Sequence, residues 1–171
     1  VSGKILAGAL VVVAIIAGFA MYYLQVYAYY DTLEATGPED VRLTSIDGTV
    51  HQLSHDGFEG IDSDSSPIRY RACFQTGESF ETLSAEYAAY DRPEPLVAPG
   101  WFGCFDAKEL GADLEAGIAM AFMGVENVIY GVDRVVAILP DGRGYAWHQI
   151  NACGEVAFDG KPLPDGCPPK P

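Results

Sequence analysis

Basic residues are scarce in this chain of 171 residues, with ten Lys and Arg against 24 Asp and Glu and a formal net charge of −14. Only Lys4 of the ten precedes the first acid, Asp31, so nine cations face all 24 acids over the rest of the chain, about −15. Such a field repels nucleic acid and anionic headgroups. It suits either the solubility of an exported domain or the steering of a basic soluble partner, such as a cationic electron carrier, which salt would screen. Histidine is rarer still, at three residues. The chain has no Cys-x-x-Cys pair, no Cys-x-x-Cys-His haem attachment, no Gly-rich phosphate loop and no calcium-binding loop, so no familiar cofactor motif is on offer.

Charge is missing altogether from Ile5 to Leu24 (ILAGALVVVAIIAGFAMYYL). About 20 apolar residues rising 1.5 Å each cover a bilayer's roughly 30 Å hydrocarbon core. Tyr22, Tyr23, Tyr27, Tyr29 and Tyr30 close the run as an interfacial aromatic belt does. The expectation is a transmembrane helix with its belt over residues 5–30. Lys4 before it and Asp31, Glu34, Glu39 and Asp40 after it place residues 1–4 in the cytoplasm and the body of the protein outside. The competing reading is a cleaved secretory signal, since Gly18-Phe19-Ala20 is a small-x-small site. Apolar character continuing past Ala20 favours the span. No Cys stands directly after the run, at residues 25–30, so no lipoprotein anchor is expected.

Gly3, Ala7, Ala14, Gly18, Met21 and Gln25 fall near one helical stripe, and Ala14-x-x-x-Gly18 is a small-xxx-small pair of the kind that lets helices approach closely. Gly3, Ala7, Ala14 and Gly18 are therefore candidate helix-packing residues, with Val12, Ile15, Ile16 and Phe19 facing lipid. The plainer account is that Gly and Ala are common in membrane helices.

All four cysteines, Cys73, Cys104, Cys153 and Cys167, lie beyond the run, where an even number in an exported domain favours disulfides. Three pairings are possible. Cys73 with Cys104 and Cys153 with Cys167 is preferred, because the second pair closes a short Gly- and Pro-rich segment with little core of its own, a loop worth roughly 3 kcal/mol. A four-cysteine zinc site is the alternative, and it lacks the usual close ligand pair.

The remaining chain divides into a stalk at 31–40, an α+β domain at 41–161 and a Pro-rich tail at 162–171. Helix is expected to run through Ala28 towards Leu33, with Thr36-Gly37-Pro38 ending it. Asp47-Gly48 between Val41–Thr44 and Val50–Leu53 predicts a hairpin. Ile68–Phe74 alternates as a half-buried strand does. Ser79 caps a helix to about Tyr90, and Asp106 caps another that Gly117 stops. Ile118–Met123 and Asn127–Tyr130 read as separate strands, and Arg134–Leu139 with Tyr145–Ile150 as a second hairpin. An antiparallel sheet with two helices on one face satisfies this order.

No catalytic, cofactor-binding or metal-binding residue is expected. His51, His55 and His148 make a three-histidine site arithmetically possible, but the first two straddle a predicted strand end and turn. Ser54, His55 and Asp56 are adjacent in sequence, the wrong kind of proximity for a triad that meets through the fold. Asp62 and Asp64 with Ser63, Ser65 and Ser66 offer oxygen ligands to a hard cation or make a solvated turn. Arg69 and Arg71 on one strand face invite internal pairing with Asp or Glu, or docking to a partner's carboxylate. Trp101 and Phe102 either tuck into the core beside Cys104 or anchor an interface, while Trp147 is most simply core.

Four segments resemble an alphaproteobacterial family of single-span proteins of unknown function: Asp64-Ser65-Ser66-Pro67-Ile68-Arg69-Tyr70-Arg71-Ala72-Cys73-Phe74, Ala98–Asp106 (APGWFGCFD), Asp141–Asn151 (DGRGYAWHQIN) and the Met21–Tyr27 exit (MYYLQVY). The resemblance covers nearly the whole chain and carries no activity. It implies a bacterial inner-membrane protein with a periplasmic domain, in a group rich in photosynthetic and respiratory membranes. The expected function is that of a non-catalytic accessory or assembly subunit of a larger integral membrane complex. A photosynthetic reaction-centre and light-harvesting assembly or a respiratory cytochrome complex is its natural host. The competing class is a membrane-tethered periplasmic enzyme or a metal- or small-molecule-binding module.

Overall fold

A computed structural model describes residues 2–157 and 159–170; Val1 of the N-terminal stretch, Phe158 of the domain and Pro171 of the tail lie outside the described residues. The uncharged run forms α1, Gly3–Tyr23, prolonged by one π-helical turn, Leu24–Ala28. Together they are long and apolar enough to cross a membrane, and no residue of either is buried.

The helix stops earlier than its composition suggests. Asp31–Leu33 is β1, paired antiparallel with β4 (Asp56–Asp62) through Asp31↔Asp62 and Leu33↔Gly60. Leu33 packs against the buried core, so ladder bonds and burial together outweigh continued helix. The expected stalk is thus the edge of the domain. Its second half is a turn in which the Asp40 carboxylate accepts from the Thr36 and Gly37 N–H groups and the Thr36 hydroxyl.

The Asp47-Gly48 hairpin forms as β2 (Arg42–Thr44) and β3 (Val50–Gln52), a two-stranded sheet of its own. Gly48 sits at φ 87°, and Asp47 Oδ1 accepts from the Thr49 N–H and the Ser45 hydroxyl. Next come β5 (Arg71–Gln75), α2 (Phe80–Glu86) and α3 (Ala107–Glu115). Both caps act as the sequence indicates: Ser79 Oγ accepts from the Thr82 N–H, and Asp106 Oδ1 from those of Lys108 and Glu109. Helix α2 ends before Tyr87 rather than at Tyr90. Residues 87–90 are instead extended and bridge the two sheets, with Ser45↔Tyr87 on one side and Ala89↔Phe122 on the other.

The two strands expected at 118–130 are one, β6 (Met120–Ile129), whose register shifts between Met123 and Val125 and again before Ile129. Strands β7 (Val132–Ile138) and β8 (Arg143–Ile150) make the second expected hairpin. A short α4 (Ala152–Ala157) follows, capped by Asn151 Oδ1, which accepts from the N–H groups of Cys153 and Gly154.

The main sheet is antiparallel, with order β1-β4-β5-β8-β7-β6. Alternation along its strands builds two cores. On one face Ala72, Phe74, Val136, Ile138 and Ala146 pack under the hairpin and α2, through Leu43, Leu53 and Leu83. On the other, Cys73, Val135, Ala137, Tyr145 and Trp147 pack under the segment before α3 and α3 itself, through Phe102, Phe105 and Leu110. The fold is α+β as expected, but the two helices the sequence predicts, α2 and α3, lie on opposite faces.

Candidate functional site at the foot of the apolar helix

A helix C-terminus leaves its last carbonyls without intrahelical donors. Here one of them, Val26 O, accepts from Trp101 Nε1 at 2.6 Å across 75 positions of sequence. The Trp101 ring stacks with Tyr27, centroids 6.3 Å apart at 18°, and meets Tyr30 edge-on at 6.1 Å. Tyr27 in turn stacks with Tyr23 at 5.9 Å and meets Tyr22 edge-on at 6.2 Å. Phe102 closes the collar 6.3 Å from Trp101 while its own ring is buried in the second core. The helix is therefore docked on the domain through aromatic contacts and one strong hydrogen bond, not carried on a loose linker.

The segment bearing Trp101 is held by Arg71. The residue is 3% exposed, and its guanidinium donates from Nε to Leu96 O at 2.7 Å, from Nη2 to Val97 O at 3.3 Å, and from Nη1 to Ile68 O and Tyr70 O at 2.8 and 2.6 Å. Burial draws its pKa down to about 10. The expected carboxylate pairing is thus replaced by backbone carbonyls, which an irregular buried segment cannot otherwise satisfy. Arg69 lies ahead of β5, so the two arginines do not share a strand face. Its guanidinium rests 5.4 Å over Tyr30, and its Nη1 is buried with no partner. Of the four candidate partner contacts, Arg71 and Phe102 are enclosed, Arg69 is half-buried in the collar, and Trp101 keeps 37% of its surface exposed.

Gly3, Ala7, Ala14 and Gly18 are all exposed, and a Cβ at Gly3 or Gly18 would meet nothing within 4 Å. The cysteines form Cys73–Cys104 and Cys153–Cys167, with Cα separations of 6.3 and 5.7 Å. The first ties β5 to the segment before α3; the second ties α4 to the Pro-rich tail.

The chain belongs to a family of unknown function (DUF6446). Its family model matches residues 41–168. No curated protein and no solved structure matches the chain. The DUF6446 match takes in Trp101, Arg71 and all four cysteines but starts beyond α1 and β1, so the helix side of the collar lies outside it.

The histidines of this DUF6446 domain do not converge. His148 is 5% exposed; its Nδ1 lies 2.8 Å from Pro67 O, and its Nε2 accepts from Arg134 Nε at 3.1 Å. The ring stacks on Tyr70 at 4.6 Å, and the Arg134 guanidinium lies 4.0 Å over the same tyrosine. Burial, helped by Arg134, pushes the His148 pKa down to about 4, so the ring is neutral near pH 7. His55 Nδ1 lies 2.9 Å from Leu53 O, and His51 lies edge-on to Tyr87. Among the described residues no group of three or more His, Cys, Asp or Glu is placed to hold a metal ion. In the acidic cluster, Asp62 accepts from the Ser63 N–H, and Ser63 and Ser65 share a hydroxyl bond. Burial raises the Asp62 pKa.

Two features have no counterpart among the residues the sequence singles out. Asp133, 3% exposed, accepts from Tyr90 OH, the Asn127 N–H and Asn151 Nδ2, joining the segment at Tyr90 and the cap of α4 to the β6–β7 turn. An aspartate in the strand Val132–Ile138, whose only other charged residue is Arg134, is the signal that could have found it. Beside it a cleft of about 250 Å³ opens between Tyr90, Arg92, Glu94, Gln149, Asn151 and Glu155. Gln149 spans its wall, accepting from the Glu94 N–H and donating to Arg92 O.

Proposed function

We propose that this protein is a single-span, non-catalytic accessory or assembly subunit of a larger integral membrane complex. In this reading α1 crosses a bacterial inner membrane with its N-terminus cytoplasmic, and the acidic domain faces the oxidising periplasm. The observation that supports it most is the docking of Trp101 on Val26 beneath a helix whose every face is uncovered. A helix needed only as a tether requires no fixed joint to its domain. A helix that packs in a complex while setting the domain's height and direction does. The Ala14-x-x-x-Gly18 pair gives such packing a close-approach surface. Bioenergetic hosts remain the choice the sequence resemblance suggests, and the charge of about −15 suits contact with a basic soluble carrier.

Solubilisation in mild detergent followed by mass spectrometry of associated proteins tests the reading. Stoichiometric recovery with an integral membrane complex is expected, lost on Gly18→Leu while the domain stays folded. Isolation of the protein alone, with a metal or small molecule bound one to one, would instead favour the tethered enzyme or binding module. The cleft beside Asp133 is the feature that speaks for that second reading. Thiol labelling that found the cysteines in the cytosol would remove the topology.

A further inference from the structure

We infer that the loop from Leu96 to Trp101 is a second membrane contact, resting in the headgroup layer of the bilayer that α1 crosses. The inference builds on the spanning reading of α1 and adds a lipid-binding surface on the domain itself. Its ligand is the bilayer interface, not a soluble molecule.

Height comes first. If Ile5–Leu24 fills the hydrocarbon core, Val26 stands two residues beyond it, about 3 Å further along the axis at 1.5 Å per residue. Trp101 donates to the Val26 carbonyl, so the loop is held at that level by a direct bond. Tyr22, Tyr23 and Tyr27 extend the same aromatic surface down the helix, making loop and helix exit one continuous patch.

Chemistry agrees with height. From Pro95 to Phe105 the chain carries no charged residue, in a domain where acids otherwise outnumber bases by more than two to one. Val97 is 82% exposed, the most open large apolar side chain among the described residues, the apolar helix included. Such a side chain gains nothing from water but gains roughly 25 cal/mol per Å² of apolar surface removed from it. Tryptophan, with an apolar body and one N–H, is the residue that favours a membrane interface.

The loop is also rigid enough to present that side chain. Arg71 grips the carbonyls of Leu96 and Val97, the Phe102 N–H closes a turn on Pro99 O at 2.9 Å, and the Cys73–Cys104 disulfide fixes the following residues. An ordered loop spends little conformational entropy on insertion. The buried arginine thus acts as a clamp behind the surface, with its own charge kept from lipid.

The test uses the full chain in phosphatidylcholine vesicles, with a nitroxide on Val97→Cys, on Ala14→Cys within the helix, or on Glu81→Cys on exposed α2. Collision with oxygen, which concentrates in lipid, is compared with collision with a water-soluble nickel chelate. The expected oxygen-to-nickel ratio at position 97 is severalfold above that at 81 and below that at 14. A ratio at 97 matching 81, with 14 still reporting lipid, would overturn the loop contact and leave the span intact. Aqueous values at all three would overturn both. Shielding of 97 from both reagents would mean a protein cover and would also overturn the lipid contact. The difference in emission between the native chain and Trp101→Phe supplies an independent readout: its quenching should be stronger by lipid brominated near the headgroup than near the chain ends, and absence of quenching counts against the proposal.

Discussion

The two faces of the sheet are covered in different ways. One lies under regular elements, the β2–β3 hairpin and α2, whose backbone groups are satisfied by their own ladders and by bridges such as Ala88 N–H to Thr44 O. The other lies largely under residues 91–106, which have no regular structure of their own, before α3 begins. Each face holds an arginine against the sheet. Arg134 on the first rests on the Tyr70 ring and the His148 nitrogen, and so is served by side chains. Arg71 on the second is consumed by four backbone carbonyls. A regular cover closes its own hydrogen bonds, whereas an irregular cover needs donors supplied from the sheet and a covalent staple. That irregular cover is also the one that carries the collar, so the joint to α1 depends on the less self-sufficient half of the domain.

The staple should make the largest difference between the faces. Removing Cys73–Cys104 by paired Ala substitution opens a separation of 31 residues and is expected to cost about 4 kcal/mol by chain entropy, before any loss of packing around Phe102 and Phe105. Removing Cys153–Cys167 frees a separation of 14, worth about 3 kcal/mol, but the loss falls on α4 and an exposed tail that can come away locally. Denaturant unfolding in a Trp101→Phe background, followed by the emission of buried Trp147, reads the sheet. It should register the first pair strongly and the second weakly. Equal shifts would break the comparison.

Arg71→Met comes next. It keeps the stem volume but leaves the carbonyls of Ile68, Leu96 and Val97 without their donor, Tyr70 O keeping only the His148 N–H at 3.4 Å, and a loss of about 3 kcal/mol is expected. Because those carbonyls set the collar loop, the Trp101 contribution to emission should shift to the red as its bond to Val26 loosens. A stable variant with unshifted emission would show that the loop is held without the clamp.

Which half of this arrangement can be read from the sequence follows from how far each interaction reaches. The apolar length of α1, the Ser79 and Asp106 caps, and the turns at Asp47-Gly48 and Asp141–Gly144 are encoded within a few residues, and each stands where the local chemistry puts it. The cysteine pairing is legible too, because short separations leave few sensible choices. Strand β4 escapes a sequence reading because Gly57, Glu59 and Gly60 interrupt any apolar alternation, and β1 because three residues hold too little pattern. Residues 87–90 look helical by period but are claimed by pairing with Ser45 and Phe122, which no local signal reports. Trp101 is visible as a candidate, yet its partner Val26 contributes only a carbonyl, and backbone carbonyls have no signature in a sequence.

The regular face makes its own prediction with pH. The His148 pKa is lowered by burial from about 6.5 to about 4, so the unfolded chain binds a proton over a range where the native chain does not. Stability therefore falls as pH drops below about 6.5 and stops falling below about 4. Between pH 7 and pH 5 the loss attributable to this group is about 2 kcal/mol. His148→Gln can keep a donor to Pro67 and an acceptor for Arg134 while removing the titration. The slope of stability against pH in this window should flatten relative to the native chain; an unchanged slope would assign the acid sensitivity elsewhere.

The smallest expected effect sharpens the contrast because its sign is opposite. Tyr70 is 2% exposed, and its hydroxyl is buried without a hydrogen-bond partner, while its ring meets the His148 imidazole at 4.6 Å and the Arg134 guanidinium at 4.0 Å. Both ring contacts use the π-face, which phenylalanine also has. Desolvating a hydroxyl that makes no bond costs roughly 1–3 kcal/mol, part of which removal returns. Tyr70→Phe is therefore expected to stabilise the domain by about 1 kcal/mol, read as a higher denaturant midpoint with unchanged slope. The clamp on the other face has no such slack, since each donor of Arg71 named above serves a carbonyl. A Tyr70→Phe variant weaker than the native chain would mean that the regular face, too, relies on a polar bond at its centre.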